Sequence, residues 1–172
     1  MPKVIENLEL RLSEEARRQV EENGYAALTI RSVARACGVG VGTVYNYYPS
    51  KESLAASYML RDWNACYTNL LGQCQGAGES EAVVQSIYEM LLQFRADHAA
   101  LFHDDSAKGS FSTFSSLYHS RLREELAKPL RPLCADDFTS VFVAESLLAW
   151  SAETSDFGKL YKVLSKIIEQ KE

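Results

Sequence analysis

Two groups of residues in this 172-residue chain have types and spacings that could do chemistry. The first is His98, His103, Asp104 and Asp105, with His119 further on. Imidazoles and carboxylates bind divalent metals, and a helical ligand pair wants i, i+4 spacing so that both groups share one face. His98 and His103 are five apart and do not stack that way, so a solvated loop is expected there and no metal. Cys37, Cys66, Cys74 and Cys134 include no CxxC pair. Cys66 and Cys74 stand about 12 Å apart by the helical rise, too far for a disulfide. All four read as reduced, small apolar residues. There is no GxSxG, no HExxH and no phosphate-cradling glycine loop. Gly40-x-Gly42 precedes a helix but follows no strand, so it is no nucleotide fingerprint. The sequence therefore offers no catalytic residue and implies no cofactor.

The second group is the stretch TIRSVARACGVGVGTVYNYYPSKESL, Thr29 to Leu54. Two helices crossing at about 90–120° through a short turn need a small side chain where they touch. Ala34 supplies it. The turn needs a residue free to take positive φ, and Gly38 supplies that. The second helix needs a buried aliphatic facing the first, and Val44 fills the place. This is the spacing of a helix-turn-helix. Its second helix would expose Gly42, Thr43, Tyr45, Asn46 and Tyr47, slim or hydrogen-bonding residues suited to a groove. A solvated hairpin would carry Glu and Lys on that face. Residues 24–51 contain Arg31, Arg35 and Lys51 and no acid, so the stretch is suited to DNA.

Gly24-Tyr25, Leu28-Thr29, Val33-Ala34, Gly38-Val39, Gly42-Thr43-Val44-Tyr45, Tyr47-Tyr48 and Pro49-Ser50-Lys51-Glu52 with Leu54 fill nearly every fixed position of a known pattern. Over about residues 8–60 the chain resembles the N-terminal signature of the TetR family of transcriptional regulators. The resemblance implies an all-α homodimer. A small N-terminal domain binds DNA, and a larger C-terminal helical bundle binds an effector and dimerises. Many such proteins are repressors released from DNA by a small molecule. Three positions depart from the pattern. Gly40 stands where a Ser or Thr often caps the third helix. Tyr48 replaces the usual Phe before Pro-Ser-Lys. Val20 replaces an aromatic near the end of the first helix.

Phosphate contacts position a protein on DNA, and base-edge contacts specify the sequence. Thr29, Tyr45 and Lys51 are the expected phosphate contacts, Lys51 because it opens a helix whose positive dipole end faces the backbone. The family's contacts, carried over by position, fall on Thr43, Tyr45, Tyr47 and Lys51. For bases, Asn46 suits adenine, Thr43 a thymine methyl, and Arg31 guanine O6/N7. Helical spacing turns Val44 and Tyr48 inward together and leaves Tyr47 outside.

The elements that must hold these residues read as helices throughout. Ile5, Leu8, Leu12, Ala16 and Val20 recur at helical spacing until Asn23-Gly24 ends the first helix. Thr29 caps a second over Ile30–Cys37. A third runs from about Val41 to Tyr48, and Ser50 caps a long fourth from Lys51. The loop at 75–80 separates this from a helix striped with Val84, Ile87, Leu91 and Phe94. A short helix around Ala99–His103 follows, then one marked by Phe111 to Leu126 that Pro129 and Pro132 break. Two more cover about Asp137–Glu153 and Asp156–Gln170. The expected division is a helix-turn-helix domain at 1–50 and an effector-binding and dimerisation domain at 51–172.

The last two long helices are apolar on more than one face, wider than a single buried stripe. Phe142, Val143, Leu147, Trp150, Leu160, Val163, Leu164 and Ile167 are the expected dimer contacts. Trp63, Tyr67, Met90, Phe94, Phe102, Phe114, Tyr118 and Trp150 are the expected effector pocket, suited to a flat, hydrophobic small molecule.

The net charge of −5 argues at first against nucleic acid, but it is unevenly placed. Residues 1–55 hold seven basic and seven acidic side chains, whereas residues 56–172 hold 11 against 16. The acidity thus belongs to the sensing part. No apolar run spans a bilayer and no apolar signal core opens the chain, so a cytoplasmic protein without membrane contact is expected. The expected partners are a double-stranded DNA operator, a small-molecule effector and a second copy of the chain.

Overall fold

A computed structural model describes residues 7–75, 79–102, 104–153 and 156–168. Among the side chains of residues 105–117 it describes that of Ala107. The described residues form helices and no strand. In order these are α1 (Leu8–Asn23), α2 (Ile30–Cys37), α3 (Val41–Tyr47), α4 (Lys51–Cys74), α5 (Ser80–Asp97), α6 (Ala99–Phe102), α7 (Asp105–Leu130), α8 (Asp137–Trp150) and α9 (Phe157–Ile168). A 3₁₀ turn at Tyr25–Ala27 lies between α1 and α2. Contacts divide the chain into two compact units. The first comprises residues 1–62 and 98–115, the second residues 63–97 and 116–172.

In the first unit α2 packs on α1 and on α3. Leu12, Ala16, Val33, Val44, Tyr25 and Leu54 are its buried centre. Local chemistry fixes each junction. Thr29 Oγ1 accepts from the Ser32 N–H at 3.0 Å while Ser32 Oγ accepts from the Thr29 N–H at 3.2 Å, a reciprocal cap. Ser50 and Ser53 repeat the arrangement at the start of α4, at 3.2 and 3.1 Å. Gly38 takes φ 68°, ψ 33° and ends α2. Its N–H donates to Arg35 O and that of Val39 to Ala34 O, the paired bonds of a Schellman motif. A Cβ at Gly38 would meet nothing within 4 Å. Gly38→Ala therefore costs only the left-handed backbone, about 1–2 kcal/mol. The expected fall in melting temperature is about 2–8 °C for a chain of this size. Thermal unfolding followed by circular dichroism checks it; no fall would mean the turn tolerates another conformation.

The segment 98–104 belongs to this first unit and is not the solvated loop expected around His98. The His98 ring is buried, stacked on Tyr58 with centroids 6.0 Å apart, and its Nε2 lies 3.1 Å from Asp62 Oδ2. Arg17 donates to the same oxygen at 2.9 Å. Asp104 accepts from the Ala26 N–H at 3.1 Å, tying α6 to the turn before α2. His103 lies outside the described residues. Among the described residues no three metal-binding side chains cluster.

In the second unit α9 packs on α5 and α8, and α8 on α5. Val84, Ile87, Leu91, Leu126, Leu130, Val143, Leu147, Leu160 and Leu164 form its core. Helix α7 differs from expectation at both ends, continuing through Gly109 and carrying Pro129 in its last turn. A proline has no N–H for the carbonyl four residues back, here Glu125 O. The Tyr67 hydroxyl donates to that oxygen instead, at 2.8 Å, so the helix runs on to Leu130. Helix α8 ends three residues earlier than the spacing predicts, at Trp150. No helix among the described residues is long and apolar enough to cross a membrane.

Candidate nucleic-acid interface

The exposed side of α3 carries the residues expected to meet DNA. Val44 and Tyr48 point inward, at 0% and 6% exposure, while Tyr45 and Tyr47 are 52% and 46% exposed. Asn46 and Gly42 are exposed and Thr43 is half-buried. Tyr48 stays at the edge of the core because its hydroxyl donates to Glu9 O at 3.2 Å. Burial raises its phenol pKa, with the Ser57 hydrogen bond and the Arg61 charge acting against that rise. Helix α3 starts at Gly40 without a side-chain cap, as the missing Ser or Thr implies.

A groove of about 580 Å³ runs beside α3, lined by Thr29, Ile30, Arg31, Val41, Tyr45, Ser50 and Lys51 among others. It brings together four of the seven expected contact residues: Thr29, Arg31, Tyr45 and Lys51. Thr43, Asn46 and Tyr47 do not line it. Two capped helix N-termini, of α2 and α4, open on this groove. Their unpaired N–H groups and dipoles favour an anion such as a phosphate. Lys51 is half-buried. Its ammonium sits 4.1 Å from the Tyr25 ring centroid and donates to Tyr25 O at 3.3 Å. An ammonium has three donors, so this anchoring positions Lys51 without exhausting it. Likewise the Thr29 hydroxyl, accepting from Ser32, keeps its own hydrogen for another acceptor. Ser50 and Val41 were not among the expected contacts. Ser50 was legible only as a cap, and nothing in the sequence placed α4's first turn beside Tyr45.

Residues 12–58 match the family model described as bacterial regulatory proteins, tetR family. Over that stretch the chain is similar to the N-terminal domain of the TetR family. It is 28% identical over 150 residues to an HTH-type transcriptional regulator of Staphylococcus aureus strain MRSA252, spanning 86% of this chain and 80% of that protein. Among solved structures, Thermus thermophilus FadR, a TetR-family repressor in complex with lauroyl-CoA, has the same fold. The TM-score is 0.64 at 17% identity, over 95% of this chain and 94% of that one. RolR in complex with resorcinol superposes with a TM-score of 0.64 at 18% identity, over 95% and 88%. The chain thus shares the fold of these proteins, a helix-turn-helix domain and a helical bundle, and the relatives it matches are transcriptional regulators, not enzymes.

The residues expected to bind an effector are dispersed. Trp63, Tyr67, Met90, Phe94, Tyr118 and Trp150 belong to the second unit and Phe102 to the first, while the Phe114 side chain lies outside the described ones. Trp63 is 2% exposed, edge-on to Phe94 with centroids 5.4 Å apart, and its Nε1–H donates to Glu125 Oε2 at 2.6 Å. Tyr67 serves the Glu125 carbonyl. Both therefore spend their polar atoms inside the bundle. Trp150 is 56% exposed at the end of α8, which removes it from any internal pocket.

The expected dimer residues separate into two sets. Val143, Leu147, Leu160 and Leu164 are buried among α5, α8 and α9 of their own bundle, so they are core and cannot be contact residues. Phe142, Trp150 and Val163 face outward, with Ile167 half-buried. Phe138, 78% exposed and stacked on Phe142 at 6.5 Å, extends this apolar face. Glu145, one turn beyond Phe142, is held by His119 at 2.8 Å and by Arg123 at 3.6 Å.

Proposed function

We propose that this TetR-family regulator is a homodimeric repressor that leaves a near-palindromic operator when a small, flat hydrophobic effector binds the C-terminal bundle. Residues 1–50 act as the reading head and 51–172 as the sensing and dimerising part. Thr29, Tyr45, Tyr47 and Lys51 take phosphates. Arg31, Thr43 and Asn46 read bases. The observation that carries this reading is the groove where two capped helix N-termini converge with Thr29, Arg31, Tyr45 and Lys51 beside the exposed face of α3. Solved relatives binding lauroyl-CoA and resorcinol support an apolar or aromatic effector. Trp63, Tyr67, Met90, Phe94 and Tyr118 are the bundle residues proposed to meet it. Helix α4 starts at Lys51 in the groove and reaches Trp63 and Tyr67 without a break, so it is the proposed lever. An effector acts by preferring the conformation whose two heads are wrongly spaced.

An electrophoretic shift with the DNA upstream of the protein's own gene tests the reading. A sequence-specific complex that weakens steeply with salt is expected, because each neutralised phosphate releases counterions. Absence of such a complex would favour a protein that keeps the fold and acts through protein contacts. Asn46→Ala is expected to lose about 1–3 kcal/mol of discrimination at one base pair, the value of a bidentate contact. Fluorescence anisotropy on an operator panel reads this, and unchanged selectivity removes Asn46 from the reading head.

A further inference from the structure

A second concavity in the first unit is not used by the function proposed above. It is a cleft of about 480 Å³, lined by Glu9 and Ser13 of α1, Tyr47 and Tyr48 at the end of α3, and Ser57 and Arg61 of α4. Three features make it more than a surface dip. Ser13 is 2% exposed, and its hydroxyl has no hydrogen-bond partner. A buried hydroxyl left without a partner is costly, and such groups are rare. Arg61 forms no ion pair or hydrogen bond with any described residue, unlike Arg17 and Arg18 nearby on α1. Both charges are felt inside the cleft: the Glu9 carboxylate adds to the rise that burial gives the Tyr48 phenol, and Arg61 acts against it. Tyr48 donates to Glu9 O and the Ser57 hydroxyl to Leu54 O at 2.7 Å, while the carboxylate of Glu9, an exposed residue, and the Tyr47 hydroxyl also border the cleft. The cleft therefore offers a cation without a partner among the described residues, one buried hydroxyl without a partner and two phenol rings, with the exposed Glu9 carboxylate also lining it. Its volume lies in the range of small-molecule sites.

We infer that this cleft is a second ligand site, in the reading head itself, for a small monocarboxylate with a flat apolar body. The carboxylate would meet Arg61 and the Ser13 hydroxyl, a charge-assisted pairing of the kind guanidinium favours. The ring or short chain would lie against Tyr47 and Tyr48. This site is separate from the effector pocket of the bundle. Because Tyr47 is one of the proposed phosphate contacts, a ligand held against it would also weaken DNA binding; that consequence, unlike the binding itself, rests on the DNA-binding reading.

Benzoate titrated into the full-length protein by isothermal calorimetry tests the inference, with inorganic phosphate as a second arm. Benzoate should bind the wild type and phosphate should not compete. Arg61→Gln should weaken benzoate at least tenfold, and Ser13→Ala should weaken it while leaving the unliganded melting temperature unchanged or higher, since it removes a hydroxyl with no partner. Phe94→Leu, in the bundle, should leave the benzoate affinity unchanged. Equal benzoate affinity in the wild type and Arg61→Gln would overturn the site, as would no binding at all or binding of phosphate as strong as that of benzoate. An operator shift performed with and without benzoate then reports on the DNA consequence separately.

Discussion

Phe142→Glu should leave the protein folded, make it monomeric, and weaken operator binding by about 10²-fold or more, the scale on which linking two modules raises avidity. Phe142 is 46% exposed and stacks on Phe138, which is 78% exposed, on the outer side of α8. Trp150, 56% exposed, and Val163 on α9, 59% exposed, are also apolar and outward-facing. Large apolar groups exposed on the outward sides of two packed helices are of the kind that marks an interaction surface. The charged residue within the stripe is Glu145, and His119 and Arg123 pair with it. The stripe thus presents a carboxylate whose partners come from its own chain. A Glu at 142 adds a second carboxylate one turn away with no such partner. In a two-fold contact the same patch meets itself, so each substitution enters the interface twice. Burying an unpaired carboxylate costs several kcal/mol. In the monomer the new side chain stays in solvent, so the melting temperature extrapolated to low protein concentration should match that of the wild-type monomer. Sedimentation velocity at micromolar concentration gives the first readout and anisotropy on a two-half-site operator the second. A variant that remains dimeric would move the interface away from α8.

The reading head was legible in the sequence because each of its boundaries is set by a residue acting on its immediate neighbours. Thr29 caps α2 through Ser32, Gly38 ends it with a left-handed backbone, and Ser50 caps α4 through Ser53. None of these depends on distant chain. Where distant chain decides, the same signals mislead. Pro129 reads as a breaker, yet the phenol of Tyr67, 58 residues before Glu125, serves the Glu125 carbonyl that the proline leaves open. His98 reads as a loop residue, yet Tyr58 and Asp62 of α4 close over it. The two apolar stripes of α8 and α9 were visible, but periodicity cannot say which one faces inward. Packing against α5 decides that Val143, Leu147, Leu160 and Leu164 are core and leaves Phe138, Phe142, Trp150 and Val163 outside. The groove is intermediate. Its residues were mostly named, but that the first turn of α4 lies beside Tyr45 was not readable from spacing.

Trp63→Ala should destabilise the chain by about 3–5 kcal/mol, the usual cost of emptying a buried indole site. At about 2–4 °C per kcal/mol for this chain length, the melting temperature should fall by about 6–20 °C. The size follows from what the ring does. It is 2% exposed, meets Phe94 edge-on, and its N–H donates to Glu125 Oε2 at 2.6 Å. Glu125 also accepts from Arg121 Nε at 2.9 Å, so its carboxylate is not stranded when the indole is removed. The cost is therefore mainly cavity and lost apolar burial. Trp63→Phe keeps an aromatic ring near Phe94, leaves a smaller cavity than Ala and removes the N–H donor. It should cost less than Trp63→Ala, because it removes less buried volume. The same pair of variants decides how the bundle would receive the proposed effector. If Trp63→Ala costs less than about 1 kcal/mol, well below any core truncation, the indole borders open space and the pocket is formed before the effector arrives. If the full cost appears, Trp63 is core in the unliganded protein. An effector that reaches it must then displace the ring from Phe94 and Glu125. That displacement would move α4, which runs from Trp63 back to Lys51 in the groove.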